Sequence, residues 1–284
     1  MALCKTWLMR PISCKPWSLL SADAAAAVVG VLTDIDDTLT TAGAITPEAF
    51  SALARLKACG LPVIAITGRP MGWSEPFARP LTQGGWPIDA IVAENGAVAL
   101  FCEGETLRVE YAQDEATRAH NTARLQAAAQ RVLRDVPGAA LAQDSPGRVT
   151  DIAIDHSEFA HLDAKQVEAV VATMRREGMN ATVSSIHING WFGDHTKLSG
   201  ARWIVRRLLG RDIEAERDHW VYVGDSTNDQ LMFGHYPLSV GVANLLEFES
   251  ALTVWPAYLT QRARGAGFAE VAYRLIRDRG ITPG

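Results

Sequence analysis

Four apolar runs of strand length, each ending in a polar or glycine-rich corner, constrain this chain more than any other feature. AAVVGVLT runs into DIDDTLT, LPVIAIT into GRP, IDAIVAE into NG, and HWVYVG into DSTND. Continuous apolar runs mark strands buried on both faces, as in a parallel sheet. Helical patterns separate them. Thr46-Pro47-Glu48 opens one helix with an N-cap and a proline at the first position, and Gly60 closes it. Strands alternating with helices predict βαβ units.

The middle of the chain is different. Residues 115–136 are rich in Ala, Arg and Gln with helical periodicity. RVTDIAID reads as an alternating strand with one exposed face, 163–177 as a helix ending at Gly178, and NATVSSIHIN as another alternating strand. Alternation suits an antiparallel sheet, so 108–191 is expected to be an inserted α+β domain. The parallel pattern resumes with a helix over 197–209, HWVYVG, the strand PLSVGVAN and a C-terminal helix over about 268–279. Residues 28–107 and 192–284 then form one core.

Residues 1–27 carry Lys5, Arg10 and Lys15 ahead of SLLSADAAAAVV, a faint likeness to a secretory signal. Asp23 interrupts the apolar part, which runs on into a core strand, so cleavage would damage the fold. The reading adopted is a poorly ordered extension, with Met9 as an alternative start. No stretch approaches the about 18–20 apolar residues of a membrane span. A net charge of −5 without a Lys/Arg stripe argues against nucleic acid as a partner. The four cysteines lie far apart with no metal-ligand spacing, which suits a reducing cytoplasm, and the seven histidines show no zinc-binding spacing. Oligomeric state is not legible.

Ligands of doubly wound parallel sheets bind outside the carboxyl ends of the strands, where this chain concentrates its polar residues. Asp34 and Asp36 are two apart, so an extended chain points both carboxylates to one side, and Asp37 to the other. Thr67 ends the second strand, and Gly68 lets backbone N–H groups approach an anion. Gly224–Asp229 supplies Asp225, Asn228 and Asp229, and Lys197 opens a helix. Two like charges about 4 Å apart repel by about 4 kcal/mol at an effective dielectric of about 20. Four gathered carboxylates therefore need a strong counter-charge, and an all-oxygen set suits Mg²⁺ with a substrate phosphate.

DIDDTLT, ITGRP, Lys197 and GDSTND, in that order, resemble the four motifs of the haloacid dehalogenase superfamily of phosphohydrolases. The insertion between the second and third motifs, led by AENGAVALF, resembles the Cof-type group with a type IIB cap, which includes sucrose-, trehalose- and mannosyl-phosphoglycerate phosphatases. The resemblance implies a Rossmann-like α/β core with an inserted α+β cap. It implies Asp34 as the nucleophile forming an aspartyl-phosphate, Asp36 as acid and then base, and Lys197 as the catalytic cation. Thr67, the Gly68 amide and Asn228 would hold phosphate. Asp34, Asp225, Asp229 and the Asp36 backbone carbonyl would hold Mg²⁺. Asp37 stands where the family commonly has glycine, so it is expected to shape a turn. Lys197-Leu198 replaces the usual Lys-Gly.

Outside the motifs, His187, Asn189 and Trp191 share one strand face and read equally as cleft-lining groups or as hinge packing. Arg69 and Asn95 point from core corners toward the same cleft as candidate substrate contacts, and Arg148 and Asp151 are weaker candidates. The expected activity is Mg²⁺-dependent hydrolysis of a small phosphorylated metabolite, a sugar phosphate or glycosyl-phosphoglycerate. The alternatives are a phosphomannomutase-type phosphomutase and a non-catalytic binding protein on the same fold.

Overall fold

The structure is a computed structural model and describes residues 14–277 and 279. Strand β1 (Lys15–Pro16) and helix α1 (Ala22–Ala27) precede β2 (Gly30–Thr33). A two-residue hairpin, β3 (Thr40–Thr41) and β4 (Ala44–Ile45), leads to α2 (Pro47–Ala58), β5 (Val63–Ile66), α3 (Met71–Ala78) and β6 (Ala90–Ala93). The hairpin β7 (Val98–Glu103) and β8 (Thr106–Tyr111) follows. Next come α4 (Glu115–Asp135), β9 (Ala140–Leu141), β10 (Asp151–Asp155), α5 (Ala164–Arg176), β11 (Asn180–Val183) and β12 (His187–Trp191). The chain closes with α6 (Lys197–Leu209), β13 (Trp220–Gly224), α7 (Gln230–His235), β14 (Leu238–Gly241), β15 (Tyr258–Leu259) and α8 (Arg264–Arg277).

The large sheet has the order β1-β15-β14-β13-β2-β5-β6-β7-β8, parallel as far as β6 and antiparallel at its last two pairings. From β2 the chain moves outward to β5 and β6 on one side, then returns to β13 on the other. Strand order thus reverses between β2 and β13, and a cleft opens at the carboxyl ends of such a pair. Successive side chains point to opposite faces: Val31, Val63 and Val221 join a cluster with Leu53 and Phe268, while Leu32, Ile64 and Tyr222 join one with Ile204. Local signals explain the helices that flank them. Thr46 caps α2 by accepting from the Ala49 amide at 3.2 Å, and Thr196 and Ser199 form a reciprocal capping box on α6.

The second sheet, β11-β12-β10-β9, is antiparallel. Ile152, Ile154 and Ile188 pack with Leu125, Val132 and Val170 of α4 and α5. The alternate positions, Asp151, Asp155, His187, Asn189 and Trp191, are buried too. The alternation holds in both strands, but its polar face meets protein and not solvent.

Several boundaries differ from the sequence reading. NATVSSIHIN is two strands: Ser184–Ile186 turns the chain, with the Ser184 amide donating to the His187 carbonyl at 2.9 Å. The first core strand starts at Gly30 because the alanines before it form α1, capped by Ser21. Residues 1–13 of the expected N-terminal extension lie outside the described residues, but 14–27 are packed. Trp17 and Leu20 are buried, and β1 pairs with β15 at the sheet edge. Strand β8 carries the large sheet past residue 107 to Tyr111, and α8 begins at Arg264, four residues early. No helix among the described residues is long and apolar enough to cross a membrane.

Candidate active site

Asp34 is the first residue past β2, and its amide donates to the Val223 carbonyl of β13 at 2.8 Å, so it sits at the strand-order reversal. Lys197, the first residue of α6, reaches the same point with its Nζ 2.6 Å from Asp34 Oδ1 and 2.7 Å from Asp229 Oδ1. All three are buried. Burial opposes the Lys197 charge, but Asp229 and Asp34 outweigh it and hold the ammonium above its ordinary pKa. Burial pushes Asp34 up to about 8, with Lys197 pulling the other way and Asp229 adding to the rise.

Asp34, Asp225 and Asp229 each offer a carboxylate oxygen, and these oxygens lie within 4.8 Å of one another. Asp225 Oδ2 accepts from Asn244 Nδ2 at 3.2 Å, while Oδ1 is buried with no partner among the described residues. Burial, then Asp34 and Asp229, push Asp225 well above the usual carboxylate range. One ammonium thus faces three crowded carboxylates, one with an orphaned oxygen, and a divalent cation fits that deficit. Asp229 is held differently. Lys197 Nζ and the Tyr222 hydroxyl donate to its Oδ1, and the amides of Asp225 and Ser226 to its Oδ2. Its carboxylate clamps the loop after β13 as well as facing the other two.

The Asp36 carboxylate turns away from this set toward Arg69, whose Nε is 3.1 Å from both its oxygens. Arg69 also pairs with two carboxylates of the inserted unit, Asp144 at 3.2 Å and Glu158 at 2.8 Å. Glu158 accepts from His187 at 3.0 Å, and this hydrogen bond, against burial and with help from Arg69, holds its carboxyl down at about 2. Asp37 adopts a left-handed φ of 51°, the conformation glycine favours, and pairs with Arg264 at 2.8 Å. It shapes the turn, as expected.

The corner after β5 is buried and shared with the inserted unit. Thr67 Oγ1 accepts from the Arg69 amide at 2.9 Å. The Gly68 carbonyl accepts from Arg148 at 2.9 Å and Asn189 at 3.1 Å, and a Cβ at Gly68 would meet Asn189 Oδ1 at 3.0 Å, so glycine permits this approach. Asp151 binds Arg148 and Asn189. After β6, Glu94 and Asn95 hold left-handed φ values of 49° and 56°. The Glu94 carboxylate accepts from the amides of Met71, Val149 and Thr150 and from the Thr150 hydroxyl, joining the two units. Strain of this kind persists where the surroundings over-determine it.

Asn95, Lys197, Asn228 and Trp191 line one cavity of about 530 Å³, whereas Asp36, Asp37 and Arg69 line another of about 340 Å³. Asn228 Oδ1 accepts from Ser226. His187 and Asn189 are engaged by Glu158 and by Asp151 with Gly68, and Trp191 donates its indole N–H to the His195 carbonyl at 2.9 Å. Sequence reasoning missed Tyr222, Asn244, Glu94, Asp144 and Glu158.

Residues 31–135 match the family model for haloacid dehalogenase-like hydrolases. No curated protein sequence matches the chain. Among solved structures, the Thermoplasma acidophilum protein 0175 is 15% identical with a TM-score of 0.65, covering 88% of this chain and 99% of its own. The sucrose-phosphatase of Synechocystis sp. PCC6803, solved with sucrose and phosphate, is 14% identical with a TM-score of 0.61, covering 87% and 98%. A sugar phosphatase of haloacid dehalogenase subclass IIB is 17% identical with a TM-score of 0.53, covering 81% and 92%. These structures share the fold, including both the large sheet and the inserted unit.

Proposed function

We propose that this chain, whose residues 31–135 match the family model for haloacid dehalogenase-like hydrolases, is a Mg²⁺-dependent phosphatase. Its substrate is a small phosphorylated metabolite, a sugar phosphate or a glycosyl-phosphoglycerate. The observation that carries the reading is the buried set of Asp34, Asp225 and Asp229 around Lys197 at the strand-order reversal, with an Asp225 oxygen left unpartnered among the described residues.

Mg²⁺ held by Asp34, Asp225 and Asp229 with the Asp36 carbonyl would neutralise these carboxylates and withdraw charge from a phosphoryl oxygen. The protein's own residues divide the remaining work. Lys197 orients Asp34, whose free oxygen attacks phosphorus and forms an aspartyl-phosphate. Asp36 gives its proton to the departing alkoxide. It then takes a proton from the water that attacks the same phosphorus, which frees Asp34 and inorganic phosphate. The Thr67 hydroxyl and Gly68 amide hold the phosphoryl oxygens, with Asn228 beside them. Contacts of Arg69, Arg148, Asn189 and Glu94 between the units close the cleft against bulk water.

The test is phosphate release across sugar phosphates and glycosyl-phosphoglycerates, with Mg²⁺ and again with chelator. Release that requires Mg²⁺ supports the reading. No release from any ester with Mg²⁺ present would leave a binding protein on this fold.

A further inference from the structure

The cavity of about 530 Å³ mixes apolar side chains such as Met179 and Leu231 with neutral polar and basic ones. The large sheet's side contributes Asn95, Lys197 and Asn228, and the inserted unit contributes Thr182, Trp191 and Arg175, the last near the C-terminal end of α5. No Asp or Glu lines it among the described residues. Two of its polar atoms, Asn95 Nδ2 and Thr182 Oγ1, are buried without a hydrogen-bond partner among the described residues, and Asn95 is only 2% exposed. An unsatisfied buried donor costs about 1–3 kcal/mol, which an acceptor on a ligand would recover.

The arginines around the cleft differ in a telling way. Arg69 is committed to Asp36, Asp144 and Glu158, and Arg148 to Asp144 and Asp151. Arg175 is exposed, and among the described residues no carboxylate pairs with it. The neighbouring cavity of about 340 Å³ is instead lined by Asp36, Asp37 and Glu158 beside Arg69. An anionic group entering the cleft is repelled on that side and attracted on the Arg175 side.

We infer that this cavity receives the part of the leaving alcohol remote from phosphorus, with the ester oxygen left toward Asp36, and that this remote part carries a carboxylate, bound by the Arg175 guanidinium. Asn95 and Thr182 take its hydroxyl or ether oxygens. The substrate class is then a phosphorylated hydroxy acid, free or glycosylated, in preference to a neutral sugar phosphate. A guanidinium matches a carboxylate through two parallel N–H donors, whereas a neutral sugar leaves it without a charged partner. This inference rests on the phosphatase reading above.

The test uses 3-phosphoglycerate and glycerol 3-phosphate, which share a carbon chain and differ in the carboxylate. Their dissociation constants are measured calorimetrically on the full chain carrying Asp34→Asn, with Mg²⁺, and again with Arg175→Gln or Arg175→Lys added. Binding of 3-phosphoglycerate at least about tenfold tighter is expected, as for one charge-assisted pair. The gap should collapse in Arg175→Gln and return in part in Arg175→Lys. Equal affinities in the parent, or a gap that survives Arg175→Gln, overturn the inference. Release of phosphate from p-nitrophenyl phosphate by the unmutated chain reads the phosphatase activity separately. Release without an affinity gap overturns the carboxylate site alone, and a gap that depends on Arg175 without release supports the site while contradicting the hydrolase.

Discussion

Lys197 and Asp34, 163 residues apart in sequence, meet at 2.6 Å, and the same ammonium holds Asp229 at 2.7 Å. Among the described residues it is the one lysine beside the three buried carboxylates. Breaking a buried pair by removing one partner costs about 3–5 kcal/mol. Lys197→Met should therefore destabilise the protein by that order in chelator, and Mg²⁺ should restore part of the loss. Denaturant unfolding with and without Mg²⁺ checks this, and equal stability of Lys197→Met and the parent would contradict it.

Asp225 presents the opposite case, a buried carboxylate with an oxygen that no described residue satisfies. Burial, Asp34 and Asp229 all disfavour its charge. Asp225→Asn should cost no stability in chelator and should abolish stabilisation by Mg²⁺. For the parent that stabilisation is about 2.7 kcal/mol at one hundred times the dissociation constant. Thermal melting across a Mg²⁺ titration separates the two. An unchanged Mg²⁺ response in Asp225→Asn would remove this residue from the metal site.

Glu94 ties the corner after β6 to Val149 and Thr150, and burial followed by Asp151 raises its carboxyl from 4.5 to about 7. A raised acid favours the fold when protonated. Its contribution is complete below about pH 4.5 and is lost as pH rises through about 7, with a slope approaching 1.4 kcal/mol per pH unit at most. Glu94→Gln should flatten that part of the stability profile. Urea unfolding of both proteins from pH 4.5 to 8 tests it, and parallel profiles would show that Glu94 does not titrate there.

Arg69 is the cation common to Asp36, Asp144 and Glu158. Arg69→Ala should cost about 3–5 kcal/mol by stranding these carboxylates. Glu158 has a lowered carboxyl, so its contribution is present above the ordinary range and lost as pH falls toward about 2. Losing Arg69 relaxes that shift, and acid unfolding should begin at a higher pH. Acid titration followed by near-UV circular dichroism reports the midpoint, which must rise in Arg69→Ala.

The parts of the site that were legible in the sequence are those where strand ends carry chemistry. Asp34, Thr67, Asn95 and Asp225 each follow a buried apolar run, and topology alone brings β2 and β13 together. Asn244 lies just past β14 and obeys the same corner rule, so the signal was present and overlooked. Tyr222 sits inside a wholly buried strand, where a phenol needs a partner; that need pointed to a buried acceptor but not to Asp229. Asp144, Glu158 and Thr150 were not legible, because they meet Arg69 and Glu94 only once the inserted unit docks. The same docking covers the polar face of β10 and β12, which alternation alone assigned to solvent. The hairpin at Ser184–Ile186 escaped because it lacks glycine and proline.

The central claim is that Asp34 carries the phosphoryl group. Rapid acid quench of the Mg²⁺-loaded protein with a turned-over ester, followed by peptide mass analysis, should find one phosphoryl group on the peptide containing Asp34. Asp34→Asn should show neither that adduct nor turnover. Turnover retained in Asp34→Asn, or a phosphoryl group on another residue, would contradict the account.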